Sequence, residues 1–487
     1  MSKVRIGLEI HCQLTQLKSK LFCSCIANYR NRDPNTNICP VCYGLPGSLP
    51  VLNKKAIEYA CMIAIALGCD MPKNLTFARK NYFYPDLPKN FQITQYDSPG
   101  SDNNTCIGKS GKLEYISDKT VRIKRIQLEE DPGRLVHEIP ASQSGGNSLA
   151  YTLIDYNRAG VALVEIVTEP DFNDPKEVRL FLNKITSILE YLNVCNTNLE
   201  GSVRCDANVS IGAGKKVEIK NVGSFKDVEK ALSYEITRQK TMGLHEIEVK
   251  GETRHWDDKR KITKQSRSKE EEEDYRYFPE PDIPIIKIEN EFILNLSSKM
   301  PELPDQRRKR FIENYQLSEH VSEVLINHKE IADLFEKAVK IYQSPKSISN
   351  WIVSDLMGFI DYESLEGKPL NEIIKIDEKH IAELARLVDE NKINRTVAKK
   401  ILTQIVNSGE MPTRIIDRSE LTKIGDSKTI LEFIEQVFMS EKNAINDANK
   451  NPNVANFLLG KVMQKTKGNI DPKKALEIIK KKLEEHK

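Results

Sequence analysis

Apolar and polar positions alternate over much of residues 1–290, the period of strands with one buried side. In Val203-Arg204-Cys205-Asp206-Ala207-Asn208-Val209-Ser210-Ile211, Val203, Cys205, Ala207, Val209 and Ile211 take one side, and Asp206 and Asn208 share the other. One side therefore predicts a core and the other a wet, polar site. Lys216-Val217-Glu218-Ile219-Lys220 alternates in the same way, and Gly212-Ala213-Gly214 before it predicts a hairpin turn. The run from Cys61 to Cys69 is apolar throughout, which predicts a buried helix, being half the length of a membrane span.

From about residue 300 the period becomes helical. Ile381, Leu384, Ala385 and Val388 follow at i, i+3, i+4 and i+7, with Asp377 as a start signal. A last helix places Leu476, Ile479 and Leu483 on one side and Lys473, Lys474, Lys480, Lys481 and Lys482 over the rest, a solvated face or a surface for a phosphate backbone. Between the two regimes an acidic run, Ser268 to Asp274, is followed by Tyr275 to Pro284, where three prolines exclude a helix. The expected fold class is α+β: a mixed α/β domain over 1–290, an all-helical domain over 291–410 and a helical tail over 411–487.

With 73 Lys and Arg against 70 Asp and Glu, the net charge of +3 argues against a polyanion-coating protein, so any nucleic-acid contact is local. The N-terminus lacks the order of a signal peptide, which predicts a chain that stays where it was made, without membrane contact. Eight of the ten cysteines fall in the first 110 residues, and as reduced thiols a clustered set points to metal. Cys23-Ser24-Cys25 and Cys39-Pro40-Val41-Cys42 have the spacing of a four-thiolate structural zinc knot, with no open position for an activated water. A stand-alone zinc hydrolase is thereby disfavoured.

Familiar phosphate cradles fail. Gly108-Lys109-Ser110 has Asn103 where a P-loop needs glycine, and Gly212-Ala213-Gly214 lacks the third glycine of a dinucleotide loop. Carboxylates in strand contexts carry more: Glu9 with His11, Glu129 and Glu130, Glu165 amid Val161 to Val167, Asp206 and Glu218. A buried Glu165 needs either a basic partner or a bound cation. Oxygen donors with one imidazole suit Mg²⁺ or Mn²⁺.

Several motifs resemble the B subunit of the glutamyl/aspartyl-tRNA amidotransferases: Gly7-Leu8-Glu9-Ile10-His11, Cys39-Pro40-Val41-Cys42, Arg79-Lys80-Asn81-Tyr82-Phe83-Tyr84-Pro85-Asp86, Leu128-Glu129-Glu130-Asp131, Asp155-Tyr156-Asn157-Arg158-Ala159-Gly160, Gly201-Ser202-Val203-Arg204-Cys205-Asp206 and Tyr275-Arg276-Tyr277-Phe278-Pro279. The resemblance implies a cradle domain carrying the kinase and transamidase site and a YqeY-like tail that grips tRNA. Its implied partners are an amidase (glutaminase) chain, a small third chain completing a heterotrimer, and misacylated tRNA, in the cytoplasm or an organelle matrix. ATP is the implied co-substrate. The implied ion ligands are Glu9, His11, Glu130, Glu165, Asp206 and Glu218, with Glu129 as an alternative beside Glu130, and zinc on Cys23, Cys25, Cys39 and Cys42. His11, Glu130, Glu165 and Asp206 are the expected catalytic set, and Arg158, Arg204 and Lys220 the cations expected to face phosphates.

Three departures stand out: Pro132 and Arg134 where the family reads alanine and lysine, Gly223 in place of a side-chain amide, and Asn451-Pro452-Asn453 in place of a Gly-Lys turn. The rival expectation is a non-catalytic tRNA-binding scaffold.

Overall fold

The computed structural model of the chain describes residues 3–96, 106–116, 118–136, 152–268, 275–360, 370–419, 427–441, 445, 454–466 and 472–485. The acidic run 269–274 and Asn451-Pro452-Asn453 lie outside the described residues. Two compact units, Met1–Gln306 and Arg307–Lys487, make up the chain.

The first unit is built on an eight-stranded sheet of β1 (Val4–Gln13), β2 (Gly108–Ile116), β3 (Lys119–Glu130), β4 (Ala162–Thr168), β5 (Val203–Ile211), β6 (Val217–Lys220), β7 (Glu252–Asp257) and β8 (Ile262–Ser268). The order is β8-β7-β6-β5-β1-β4-β3-β2, antiparallel except for β6 with β7. The Gly212 to Gly214 segment joins the antiparallel pair β5 and β6, as the hairpin expectation requires.

Alternation decides the two faces. Ile6, Leu8, Ile10 and Cys12 of β1, Cys205, Ala207 and Val209 of β5, and Val164 and Ile166 of β4 enter one core with α1 (Lys54–Ala66), α2 (Pro175–Tyr191) and α3 (Phe225–Leu244). Asn53, Asp174 and Ser224 start the three helices, each side chain accepting from backbone amides of the first turn. The apolar run beginning at Cys61 forms the second half of α1, with Cys61, Ile63 and Ala64 buried. Helices thus cover one face of the sheet, and the polar side chains collect on the other. A second small sheet, Ala78–Asn81 with Phe91–Thr94 and Phe278–Pro279, runs beside the end of β3.

The second unit is helical among the described residues. Asp377 caps the helix Glu378–Asp389 by accepting from the amides of Lys379 and His380, and Ile381, Leu384 and Ala385 are buried. In the tail, Ile430, Ile434, Leu458, Val462, Ala475 and Ile479 form a separate small core. The apolar stripe of the helix Pro472–Glu485 is centred on Ala475 and Ile479, so Leu476 stands one position off the expected line. No helix among the described residues is long and apolar enough to cross a membrane.

Candidate active site and cysteine knot

The central strand sets the site. Across the β1–β5 ladder Glu9 stands opposite Asp206 and His11 opposite Arg204, and across the β1–β4 ladder His11 stands opposite Glu165. Asn208 faces Glu218 on β6, and Gln127 of β3 faces Glu165. Paired residues of a ladder share a face, so Glu9, His11, Glu165, Asp206 and Glu218 all lie on the side away from the helices.

β3 separates the two adjacent glutamates. Glu129 has the parity of Gln127 and joins the polar face, where its carboxylate accepts from Thr94 Oγ1 at 3.0 Å. Glu130 has the parity of Ile126 and Leu128. Its carboxylate is held by Lys89 Nζ at 2.7 Å and by the amide of Ile93 at 2.8 Å. The expectation that Glu130 belongs with His11 and Glu165 is therefore corrected: a one-residue step along a strand turns the side chain over, and Glu129 is the one beside them.

Charge on this face is unbalanced at one end. Glu165 has His11 Nε2 at 3.7 Å and receives a hydrogen bond from Gln127 Nε2. Burial first, then the nearby Glu129, push its pKa up to about 6, with Glu9 adding to the effect and His11 opposing it. Burial likewise raises the pKa of Glu129. The phenols of Tyr82 and Tyr277 are pushed up by burial and next by the charge of Glu129. Neither carboxylate has a Lys or Arg ion pair among the described residues; Lys80, then Arg204, oppose the burial of Glu129, and Arg125 that of Glu165, from beyond contact distance.

At the other end the cation is built in. Lys220 Nζ lies 3.0 Å from Asp206 and 3.3 Å from Glu218. Burial lowers the pKa of Lys220, but Asp206, Glu218 and Glu9 outweigh it and hold the ammonium charged. Burial also pushes Glu9 up, yet Lys220, Lys216 and His11 keep it below the usual range. The oxygen of Asn208, whose amide nitrogen donates to Glu9 at 2.9 Å, is buried without a partner among the described residues.

The two arginines do other work. Asp131, fully buried, accepts from Gln13 Nε2 at 2.6 Å and from Arg204 at 3.0 Å, with Arg158 Nε at 3.8 Å. Arg158 also donates to the carbonyls of Pro132 at 2.9 Å and Gly133 at 2.7 Å. These contacts lock the turn after β3, where Pro132 departs from the family pattern. Arg158 is thus held to protein through Nε and Nη2. Arg204 is partly exposed at the edge of the same face, its Nε buried without a partner.

The sulfurs of Cys23, Cys25, Cys39 and Cys42 all lie within 4.8 Å of one another. A tetrahedral ion at ~2.3 Å from each thiolate needs sulfurs ~3.8 Å apart, so the set fits a structural zinc ion. Cys39 opens the short helix Pro40–Tyr43, its amide donating to Cys42 Sγ at 3.2 Å. The Cys23 thiol donates to Cys42 and pulls its pKa down to about 4, aided by Lys20. The polar loop between the cysteine pairs is anchored from outside: Asn157 Oδ1 accepts from the amide of Asn37 at 2.7 Å, and Asp155 Oδ1 from that of Asn35 at 3.0 Å. Among the described residues this is the one group of ligand atoms drawn so close; the carboxylates do not converge in this way. Their chemistry suits a hard ion that keeps much of its water, as Mg²⁺ does.

Sequence reasoning missed Gln127, Thr94, Tyr82 and Tyr277 as neighbours of the carboxylates, and Lys89 as the partner of Glu130. The parity of β3 was a usable signal for the first. The rest depend on the small sheet folding over the end of β3, which no local pattern encodes.

Residues 4–294 match the family described as the GatB/GatE catalytic domain, and residues 333–483 match the GatB domain. The B subunit of the aspartyl/glutamyl-tRNA(Asn/Gln) amidotransferase of Sulfurisphaera tokodaii is 47% identical over 478 residues, 98% of this chain and 99% of that protein. Proteins of the same name from Thermotoga maritima (44% over 494 residues, 98% of each chain) and Thermodesulfovibrio yellowstonii (43% over 491 residues, 99% of each) are similar along their whole length. Sheet, carboxylate face and matches together define the catalytic subunit of an amidotransferase. The chain belongs to the family of aspartyl/glutamyl-tRNA(Asn/Gln) amidotransferase B subunits, and a B subunit is one part of a multi-subunit enzyme.

Proposed function

We propose that this protein carries out the ATP-dependent activation and transamidation of Glu-tRNA(Gln), Asp-tRNA(Asn) or both, phosphorylating the side-chain carboxylate and presenting it to ammonia. The observation that carries the reading is the pairing of Glu129 and Glu165 beside His11, two buried carboxylates without a Lys or Arg ion pair on an otherwise polar face. Phosphoryl transfer to a carboxylate brings two anions together, so the site must neutralise charge and align the reactants.

Glu9, His11, Glu129 and Glu165 would hold Mg²⁺ or Mn²⁺, with Asp206 and Glu218 at the far end of the strip. The ion's contribution is to neutralise phosphate oxygens and fix their geometry. Lys220 keeps Asp206 and Glu218 from adding repulsion, so the net charge rises where the polyphosphate must sit. Arg204, held by Asp131 at the rim, is oriented toward the same face. Ammonia attacks the acyl carbon of the activated substrate, inorganic phosphate leaves, and the amide loses a proton. Burial of the carboxylate pair limits water, which would otherwise hydrolyse the acyl phosphate.

The partners in this reading are an amidase (glutaminase) chain that releases ammonia from glutamine, a small third chain that completes a heterotrimer, and misacylated tRNA. The domains are the cradle over 1–290, a helical domain over 291–410 and a tRNA-binding YqeY-like tail over 411–487. Zinc on the four cysteines is structural. The reaction runs in the cytoplasm or an organelle matrix.

The test supplies ammonium in place of glutamine to the reconstituted complex and measures Gln-tRNA(Gln) formed with ATP and Mg²⁺, comparing wild type with Glu165→Gln. Wild-type product lost in a folded variant supports activation on this face. Full activity in the variant makes Glu165 a structural residue, and no product from wild type favours the scaffold reading.

A further inference from the structure

Lys20 has no solvent exposure. A buried ammonium requires a counter-charge, yet among the described residues no carboxylate lies within ion-pairing distance of it. Its Nζ donates to the carbonyl of Asn37 at 2.9 Å and points to Cys42 Sγ at 3.5 Å. Its backbone amide donates to the carbonyl of Cys25 at 2.9 Å, so the residue is fixed to the knot at both ends. Gly160, at φ +86°, closes the other side: a side chain there would meet Cys42 Cβ at 3.3 Å, Lys20 Cδ at 3.6 Å and, at 3.9 Å, a carboxylate oxygen of Glu130, which is itself paired with Lys89. The stem is thus clamped and the ammonium has no route to water.

We propose that Lys20 is the positioning residue of the cysteine site, its buried Nζ donating into the thiolate cluster at Cys42 and tightening the cluster's hold on a divalent metal. This rests on the reading that the four thiols bind zinc. Four thiolates around a divalent ion leave two negative charges in excess, and Lys20 removes one of them from an interior where water cannot. The charge also explains why a lysine can be buried here at all.

The experiment uses the full chain as wild type, Lys20→Met, Lys20→Gln and Cys42→Ser, each checked for fold by circular dichroism. Cobalt(II) is titrated in and then withdrawn by a competing chelator. Both Lys20 variants should bind the metal about 10- to 100-fold more weakly, the range for loss of a group that supports metal ligands. The thiolate-to-cobalt charge-transfer band should move to lower energy, because thiolates relieved of a nearby cation give up an electron more readily; a loss of packing alone would leave it in place. Lys20→Gln keeps a donor without the charge, and stands in if Lys20→Met does not fold. Wild-type affinity with an unmoved band in either folded variant overturns the role of Lys20 while leaving the metal site intact. A wild-type chain that shows no thiolate–cobalt band, or a Cys42→Ser variant that keeps it in full, overturns the metal reading and the proposal with it.

Discussion

Glu129 and Glu130 are neighbours in sequence with opposite surroundings, and their replacement by glutamine should have opposite effects. Glu130 forms a buried ion pair with Lys89, their side chains 5% and 11% exposed. Glu130→Gln leaves that ammonium without its counter-charge, a loss of about 3–5 kcal/mol for a buried pair broken on one side. At ~2–4 °C per kcal/mol for a unit of this size, the melting temperature should fall by roughly 6–20 °C. Glu129 is disfavoured as an anion by its own burial, so Glu129→Gln removes a cost, and Thr94 can still donate to the amide oxygen. Its apo protein should melt at or above the wild-type temperature. Magnesium separates the two variants by a second measure. A ligand at a hundredfold excess over its Kd stabilises by about 2.7 kcal/mol, so wild type and Glu130→Gln should both gain on adding Mg²⁺ while Glu129→Gln gains far less. Differential scanning calorimetry with and without Mg²⁺ reads both effects in one set of scans. A Glu129→Gln chain that is destabilised and keeps its Mg²⁺ response, beside a Glu130→Gln chain that loses it, would refute the assignment of the two faces.

Two more predictions follow from burial and backbone. Gly160→Ala forces a side chain onto a residue at φ +86° and against Cys42, and should cost about 1–3 kcal/mol in stability while loosening the knot; unchanged melting and metal retention would sink the claim that this glycine is required. Burial lowers the pKa of His328 to about 4, so the unfolded chain binds more protons between that value and 6.5. The stability His328 contributes is full above pH 6.5 and is lost as pH falls toward 4, by up to about 3 kcal/mol. Denaturant midpoints at pH 7 and pH 5 should differ more for wild type than for His328→Gln, and equal differences would exclude His328 as the source.

Much of this architecture was legible because strand and helix periods were clear. The side that Asp206 shares with Asn208, the core side of Cys205 and Ala207, and the start of a helix at Asp377 all follow from local pattern. Glu165 was recognisable as a problem from sequence, a carboxylate that needs a partner, but the solution was not. Which residues answer it depends on the order β1-β4-β3, and that order is a property of the whole sheet. Arg158 shows the same limit from the other side: a cation near a predicted site looks available until the carbonyls of Pro132 and Gly133 are seen to occupy it.

The distribution of cations along the polar face then explains why its two ends differ. Lys220 already satisfies Asp206 and Glu218, so a divalent ion placed there would have to displace a buried ammonium or share its ligands with one. Glu129 and Glu165 have no Lys or Arg in ion-pair contact among the described residues; Lys80 and Arg125 act on them from further away, and Glu129 pushes the pKa of Glu165 up. Glu9 lies between the two, lowered by Lys220 and next to His11, and so couples them. A strip of six acidic and imidazole side chains that looks uniform in sequence is therefore polarised in the fold, with a lysine in direct ion-pair contact at β6 and only more distant cations at β4 and β3.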